Sequence, residues 1–248
     1  MRNHLIYDLP TRLFHWIFVG LFLTAFIIAQ TVEDDSATFT FHMLAGLMLT
    51  FVVLLRIVWG FVGSKHAKFK DFSLHPKSVF TYFQGILSGS KERWAGHNPA
   101  SSWAALLMMF FALGLGLTGF LMTSGPNKEN FEDIHELLSN GFIIVAVLHV
   151  AGVLLHTLRH KEMIGLSMID GKKNDVPTTE EINSSRPAVG VLFLGLVIAL
   201  SAYIYKNYDR QNQTLQLFGT QLQLGENEAS GHGSDGKDDD DWASVRED

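Results

Sequence analysis

The stretch from residue 133 to residue 160 is an apolar run that contains three histidines, His135, His149 and His156. His135 and His149 are 14 positions apart. In an α-helix that spacing places both imidazoles on one face, about 21 Å apart along the axis of a segment that crosses a hydrocarbon core of about 30 Å. Imidazoles inside a membrane-spanning helix are rare and usually functional. Two of them stacked on one helix of a bundle indicate two metal centres, with haem iron as the metal.

The composition fits a membrane protein and limits how a haem can be bound. Hydrophobic residues make up 47% of the 248 residues, and there is no cysteine. Without cysteine the chain has no disulfide, no iron–sulfur cluster and no covalent attachment of a c-type haem. Any haem must therefore be bound by axial side chains alone.

Five apolar runs predict five membrane-spanning helices. Four lie in the first 165 residues, at about 13–29, 41–62, 99–123 and 133–160. The predicted fold class is all-α: an integral membrane four-helix di-haem bundle over residues 1–165, followed by a fifth transmembrane helix at 187–205. A cytoplasmic linker over 166–186 joins them. Residues 206–248, with an aspartate run at 238–241, are expected to be a disordered acidic tail.

The connecting segments alternate in charge along the chain. Lysine and arginine are concentrated in the N-terminus, 63–100 and 159–186, whereas 31–37, 125–133 and the tail are acidic. Because basic segments stay in the cytoplasm, we predict a multi-pass protein of the bacterial inner membrane with a cytoplasmic N-terminus and a periplasmic C-terminus. Helical spacing of apolar residues over 79–87 further predicts a short helix on the membrane surface.

The predicted orientation assigns depths to the histidines. His42 and His135 each begin a helix that enters from the outer surface, so together they can bind one haem. His15 begins a helix that enters from the inner surface, and its partner must lie near the inner end of helix four. His149 and His156 both satisfy that condition, because seven residues separate them and they lie on nearly the same face. Spacing alone leaves the choice between them open.

Other residues near these histidines have two interpretations each. Gly46 and Gly152, about one turn beyond His42 and His149, would let a porphyrin approach the backbone or would let helices pack closely. Arg56 would pair with a propionate of the inner haem or extend to the cytoplasmic surface. Asn98 and Pro99 are expected to begin helix three, although His97 and Asn98 would also reach a quinone at the inner face. The remaining histidines are expected to be solvated: His4, His66, His75, His160 and His232.

Four segments resemble the bacterial cytochrome b561 family: YDLPTRLFHW, FHMLAGLML, GHNPASSW and IHELLSNGFIIVAVLHVAGVLLH. That family includes the cytochrome b subunits of nickel–iron hydrogenases and is similar to the membrane subunit of formate dehydrogenase. The resemblance covers about residues 5–165 and implies two haem b groups, with the ligand pairs His15–His149 and His42–His135. It also implies a quinone site close to His149. The fifth helix and the tail extend beyond the family's four-helix core.

The function we expect is electron transfer between the quinone pool and a periplasmic redox partner, as the electron-transfer subunit of a quinone-linked oxidoreductase. The partner is a hydrogenase, a dehydrogenase or a c-type cytochrome, and the sequence does not choose among them. Lipid surrounds the chain, a homo-oligomer is compatible with it, and no nucleic-acid partner is expected. The alternative is a non-haem membrane anchor or a metal-ion permease in which the histidines bind metal transiently. A permease usually has repeats or broken helices, and the sequence has neither.

Overall fold

A computed structural model of the chain describes residues 4–90, 92–124, 128–174 and 176–225. The helices are α1 (Leu9–Thr31), α2 (Thr40–Val62), α3 (Pro76–Leu87), α4 (Pro99–Ser124), α5 (Lys128–His160), α6 (Ser167–Asp170) and α7 (Pro187–Asn207). The strands are β1 (His4–Leu5), β2 (Lys172–Lys173), β3 (Tyr208–Asp209), β4 (Thr214–Leu217) and β5 (Thr220–Gln223). Of the described helices, α1, α2, α4, α5 and α7 are long and apolar enough to cross a membrane. The prediction of five transmembrane helices is confirmed.

Side-chain caps decide where two of the long helices begin. The Asp8 carboxylate accepts a hydrogen bond from the backbone N–H of Thr11 at 2.9 Å, and α1 therefore begins four residues before the predicted start. The Asn98 side-chain oxygen accepts from the backbone N–H of Ser101 at 2.8 Å, and Pro99 follows as the first residue of α4. This second cap was predicted from the sequence and is confirmed.

The bundle has a tightly packed centre built mainly from aromatic residues. Helix α1 packs against α2, α2 against α4, and α4 against α5. Phe142 of α5 is almost fully buried, and its ring centroid lies 5.9 Å from that of Phe18 and 4.6 Å from that of Phe22, both on α1. Phe142 is seven residues from both His135 and His149, so this packed layer separates the two ends of the bundle.

Helix α3 lies in the basic segment where apolar spacing predicted a short helix, and the prediction of a helix there is confirmed. Its exposed apolar side chains are Phe80, Phe83 and Leu87. Arg159, near the end of α5, donates hydrogen bonds of 2.6 Å to the backbone oxygens of Ile86 and Ser90. The guanidinium therefore satisfies carbonyl groups at the C-terminal end of α3.

The segment after α5 folds differently from the expected disordered tail. Helix α7 packs on α1 and α2, and β3, β4 and β5 follow it as a three-stranded antiparallel sheet. Leu215, Leu222 and Leu224 are buried, and the hydroxyl groups of Tyr208 and Thr40 are 3.0 Å apart. The expectation of disorder is therefore wrong for residues 208–225, because alternate apolar residues give this segment one buried face. The remaining tail, 226–248, lies outside the described residues.

Two histidines expected to be solvated are buried near the start of α1, and this expectation is corrected. His4 lies on β1, which pairs with β2, and its Nδ1 is 2.9 Å from a carboxylate oxygen of Glu181. His66 Nδ1 is 2.8 Å from a carboxylate oxygen of Asp71, and its Nε2 donates to the backbone oxygen of Glu180 at 2.8 Å. These contacts fasten residues 176–182 to the bundle. His75 is exposed, as expected, and His232 lies outside the described residues.

Replacement of His66 by glutamine is expected to weaken this attachment in a pH-dependent way. Burial lowers the pKa of His66, but its hydrogen bonds and the charges of Asp71 and Glu180 outweigh burial, and the pKa is raised. The stabilisation is therefore complete below the ordinary histidine pKa of about 6.5 and is lost as the pH rises through the pKa of the folded chain. At pH 6 the loss is expected to be about 1–3 kcal/mol.

The measurement is hydrogen–deuterium exchange of the amides at 176–182 between pH 6 and pH 9, after correction for intrinsic exchange rates. The wild type should lose protection with rising pH, and the profile of His66→Gln should be flatter. His75→Asn is the control, because it removes an exposed imidazole and keeps a side-chain acceptor at the start of α3. Equal pH profiles for wild type and His66→Gln would contradict the prediction.

Candidate metal centres

His42 of α2 and His135 of α5 face each other at one end of the bundle, which we call the His42 end. Their ring centroids are 6.3 Å apart, and the ring planes are inclined at 64°. With metal–nitrogen bonds of about 2 Å, two imidazoles on opposite sides of one metal ion have centroids roughly 6 Å apart. The separation therefore fits two axial ligands of a single iron.

Hydrogen bonds fix which nitrogen of each ring is available to a metal. The Nδ1–H of His42 donates to the backbone oxygen of Ala25 on α1 at 2.8 Å. The Nδ1 of His135 is 2.8 Å from the Thr118 hydroxyl, whose own proton is directed to the Gly114 backbone oxygen at 3.0 Å. That hydroxyl therefore accepts from Nδ1–H. Both rings carry the proton on Nδ1 and retain the Nε2 lone pair, as metal-binding histidines do.

His15 of α1 and His149 of α5 are neighbours at the opposite end, which we call the His15 end. The two rings are close enough to interact electrostatically. His156, the other candidate partner of His15, instead stacks on His160, with centroids 4.3 Å apart and planes inclined at 24°. The electrostatic interaction therefore favours His149 over His156 as the partner of His15.

Arg56 is buried in α2 near the His15 end. Only 4% of the residue is exposed, and its Nη1 has no hydrogen-bond partner in the part of the chain that the structure describes. Its guanidinium carbon lies 5.8 Å and 5.5 Å from the ring centroids of Phe14 and Phe69. The interpretation that Arg56 extends to the surface is therefore wrong. An unpartnered donor on a buried cation indicates a missing anionic partner.

Gly46 and Gly152 adjoin open space and do not mediate helix packing. A Cβ built at either position meets no other heavy atom within 4 Å. Gly116 of α4 shows the contrast, because a Cβ there would overlap the Thr50 side chain of α2. Close packing of α2 and α4 thus depends on Gly116, whereas the backbone beside His42 and His149 is accessible to a large planar group.

Further polar groups lie near the His15 end. Lys173, which sequence reasoning missed, is buried, and the buried atoms without a hydrogen-bond partner among the described residues include His97 Nδ1, Trp94 Nε1 and Trp103 Nε1. Burial, together with the positive charges of Arg56 and Lys173, lowers the pKa of His97 to about 3. His97 is therefore neutral. In the sequence, only the position of His97 next to the Asn98 cap drew attention to it. No sequence pattern pointed to Lys173.

Together these residues fit haem. The His42 end supplies two imidazoles whose centroids have the separation expected for two ligands of one iron, and both ends have a glycine that leaves the backbone open. The His15 end supplies a buried cation with an unpartnered donor, which suits a propionate carboxylate.

Comparison with known proteins gives a consistent result. The family described as prokaryotic cytochrome b561 matches residues 6–171. A protein of Rhizobium leguminosarum bv. viciae named probable Ni/Fe-hydrogenase B-type cytochrome subunit is 24% identical over 214 aligned residues, covering 68% of this chain and 87% of that protein. A protein of the same name from Cupriavidus necator is 26% identical, covering 67% and 85%. The probable Ni/Fe-hydrogenase 1 B-type cytochrome subunit of Escherichia coli K12 is 26% identical, covering 49% and 61%. No solved structure matches significantly.

The matched residues extend from the start of α1 beyond the end of α5 and include His15, His42, His135 and His149. Helix α7 and the C-terminal sheet lie outside the match. Because the match covers more than half of the 248 residues, the chain belongs to the prokaryotic cytochrome b561 family, and it is a multi-pass membrane protein that transfers electrons through b-type haem.

Proposed function

We propose that the chain is a di-haem electron carrier between the quinone pool and a redox partner on the periplasmic side. One haem b is bound by His42 and His135, and the other by His15 and His149. The observation that carries the proposal is the 6.3 Å separation of the His42 and His135 rings, each with its Nδ1 already hydrogen-bonded. The proximity of His149 to His15 supports a second site of the same kind.

The bound haem supplies an iron that alternates between ferric and ferrous states. The chain would supply two imidazoles to each iron and leave no position for oxygen or substrate, so the protein would transfer electrons without activating small molecules. Ala25 and Thr118 hold the rings at the His42 end in a fixed orientation through their hydrogen bonds. Fixed ligands limit the reorganisation that accompanies each change of oxidation state.

Orientation and partners rest on charge and on the relatives. The basic segments of the chain lie next to the His15 end, which supports a cytoplasmic location for that end and a periplasmic location for the His42 end. The relatives named as Ni/Fe-hydrogenase B-type cytochrome subunits support a hydrogenase as the periplasmic partner. A dehydrogenase or a c-type cytochrome would use the same haem. The family resemblance supports quinone exchange near His149.

The proposal predicts two haem b groups per chain, one lost with each ligand pair. His42→Ala or His135→Ala is expected to lose the haem at the His42 end, because a single imidazole binds haem iron weakly. For the same reason, His15→Ala or His149→Ala should lose the haem at the His15 end. His156→Ala should keep both. The measurements are the reduced-minus-oxidised absorption spectrum and the haem-to-protein ratio of purified protein. A colourless wild type would favour the anchor or permease, and loss of haem in His156→Ala would reassign the ligand of the inner haem.

Filling the space beside Gly46 is expected to exclude one haem. Gly46→Leu adds a side chain where a Cβ alone meets no protein atom, so its effect comes from the displaced porphyrin. Gly195→Leu is the matched control, because Gly195 on α7 is exposed and also meets nothing within 4 Å. The haem-to-protein ratio should fall from two to about one in Gly46→Leu and stay at two in Gly195→Leu. Equal ratios in the two variants would contradict a haem beside Gly46.

Quinol is expected to reduce the chain through the His15 end. A soluble quinol analogue added to purified protein should raise the ferrous α-band within the mixing experiment, and the corresponding quinone should reoxidise it. His42→Ala should retain this reaction, whereas His15→Ala should lose at least about tenfold in rate, because the haem that receives the electron is absent. The measurement is stopped-flow absorption. A wild type that reacts with neither quinol nor quinone would remove the quinone pool from the proposal.

A further inference from the structure

Lys173 is a buried cation without a close carboxylate among the described residues. It lies on β2, is 8% exposed, and donates hydrogen bonds from Nζ to the backbone oxygens of Gly96 at 3.0 Å and Trp94 at 3.3 Å. Its Nζ also lies 5.1 Å from the Tyr7 ring centroid. Among the residues that the structure describes, no carboxylate oxygen lies within 4 Å of this ammonium group.

Arg56 is a second buried cation at the same end, and it also lacks an ion-pair partner within the described ranges. Asp8 is the carboxylate whose charge acts on Arg56, but its two oxygens accept from the Thr11 backbone and from Trp59 Nε1. Burying a charge without a close counter-ion costs several kcal/mol. Two such cations at one end of a bundle therefore indicate an anionic group other than the side chains that the structure describes.

His97 connects the two cations to the haem site. Its ring centroid lies 6.0 Å from that of Tyr7, which Lys173 Nζ also contacts, and the charges of Arg56, Lys173, His66 and His149 act on it. His97 is neutral and contributes no negative charge, and its Nδ1 has no partner among the described side chains and backbone groups. Arg56 contacts Phe14, the residue before His15, so the two cations lie at the end of the bundle that carries His15 and His149.

We propose that Lys173 and Arg56 form one anion seat for the propionate carboxylates of the haem at the His15 end. This inference rests on the proposed function, since it needs a haem bound by His15 and His149. Lys173 lies beyond residue 171, where the family match ends. The chain therefore contributes half of the seat from the segment that joins the bundle to α7.

The seat also sets the reduction potential of that haem. Reduction of a haem bound there would add one electron, from quinol or the redox partner, to ferric iron and give ferrous iron. No bond would form or break, and no proton would be transferred. Buried positive charges favour the added electron, because little solvent screens them. The acidic side chains nearest the His42 end are all exposed, so solvent screens their effect on the other haem: Glu33, Asp34, Asp35, Glu132, Asp133 and Glu136. Lys173 thus raises the potential of the haem at the His15 end selectively.

The test is a redox titration of purified full-length protein, with each haem assigned from the His15→Ala and His42→Ala variants. Lys173→Gln is expected to lower the equilibrium constant for reduction of the haem at the His15 end by about tenfold. This corresponds to a decrease of about 59 mV in the reduction potential for one electron. Lys172→Gln is the matched control, because it removes the same charge from the exposed neighbour on β2 and should change reduction less than twofold. Arg56→Gln should shift the same haem as Lys173→Gln, and Lys173→Arg should leave its potential unchanged.

The outcomes separate this inference from the proposed function. Wild-type protein without haem refutes the proposed function, whereas two haems with equal shifts in Lys173→Gln and Lys172→Gln refute only the seat. A Lys173→Gln protein that keeps one haem supports the seat if Lys173→Arg keeps two, and contradicts it if Lys173→Arg also loses one. A shift that appears only when phospholipid is present would assign the seat to a lipid phosphate and overturn the propionate assignment.

Discussion

The need to satisfy polar groups inside an apolar bundle is the constraint on which this structure depends. Hydrocarbon offers no hydrogen-bond partner, so each buried donor must find one within the protein. At the His42 end, the carbonyl of Ala25 and the hydroxyl of Thr118 each take one Nδ1–H. Those two bonds leave the Nε2 atoms of His42 and His135 for a metal. The same requirement that makes a buried imidazole tolerable thus prepares the ligand pair.

At the His15 end, the described part of the chain leaves some buried polar groups without a hydrogen-bond partner. Arg56 and Lys173 are buried, and neither cation has a close carboxylate in the described part of the chain. Arg56 and His97 each have a buried nitrogen atom without a partner, whereas Asp8 caps α1 and accepts from Trp59, and His66 is bonded through both nitrogens. Buried nitrogen atoms without a partner, concentrated at one end of the bundle, mark the position of a ligand.

Sequence reasoning predicted the elements that have long sequence patterns and missed those with short ones. Long apolar runs and histidines 14 residues apart predict helices and shared faces, because both depend only on helical geometry. The short strands after α7 were missed, since polar composition concealed the alternation of Leu215 with its neighbours. His4 and His66 were expected to be solvated because their partners, Glu181 and Glu180, are more than 100 residues away along the chain. Such pairings leave no local pattern.

The sequence by itself determined the number of membrane-spanning helices, their approximate limits and the faces that carry histidine, because these follow from hydropathy and from the pitch of a single helix. Only the tertiary structure decided that His156 stacks on His160, that Arg56 is buried and that Lys173 reaches the same end. These facts depend on how helices and connecting segments pack against one another. Packing of distant segments is governed by shape and hydrogen bonding in three dimensions, which no spacing along one chain records.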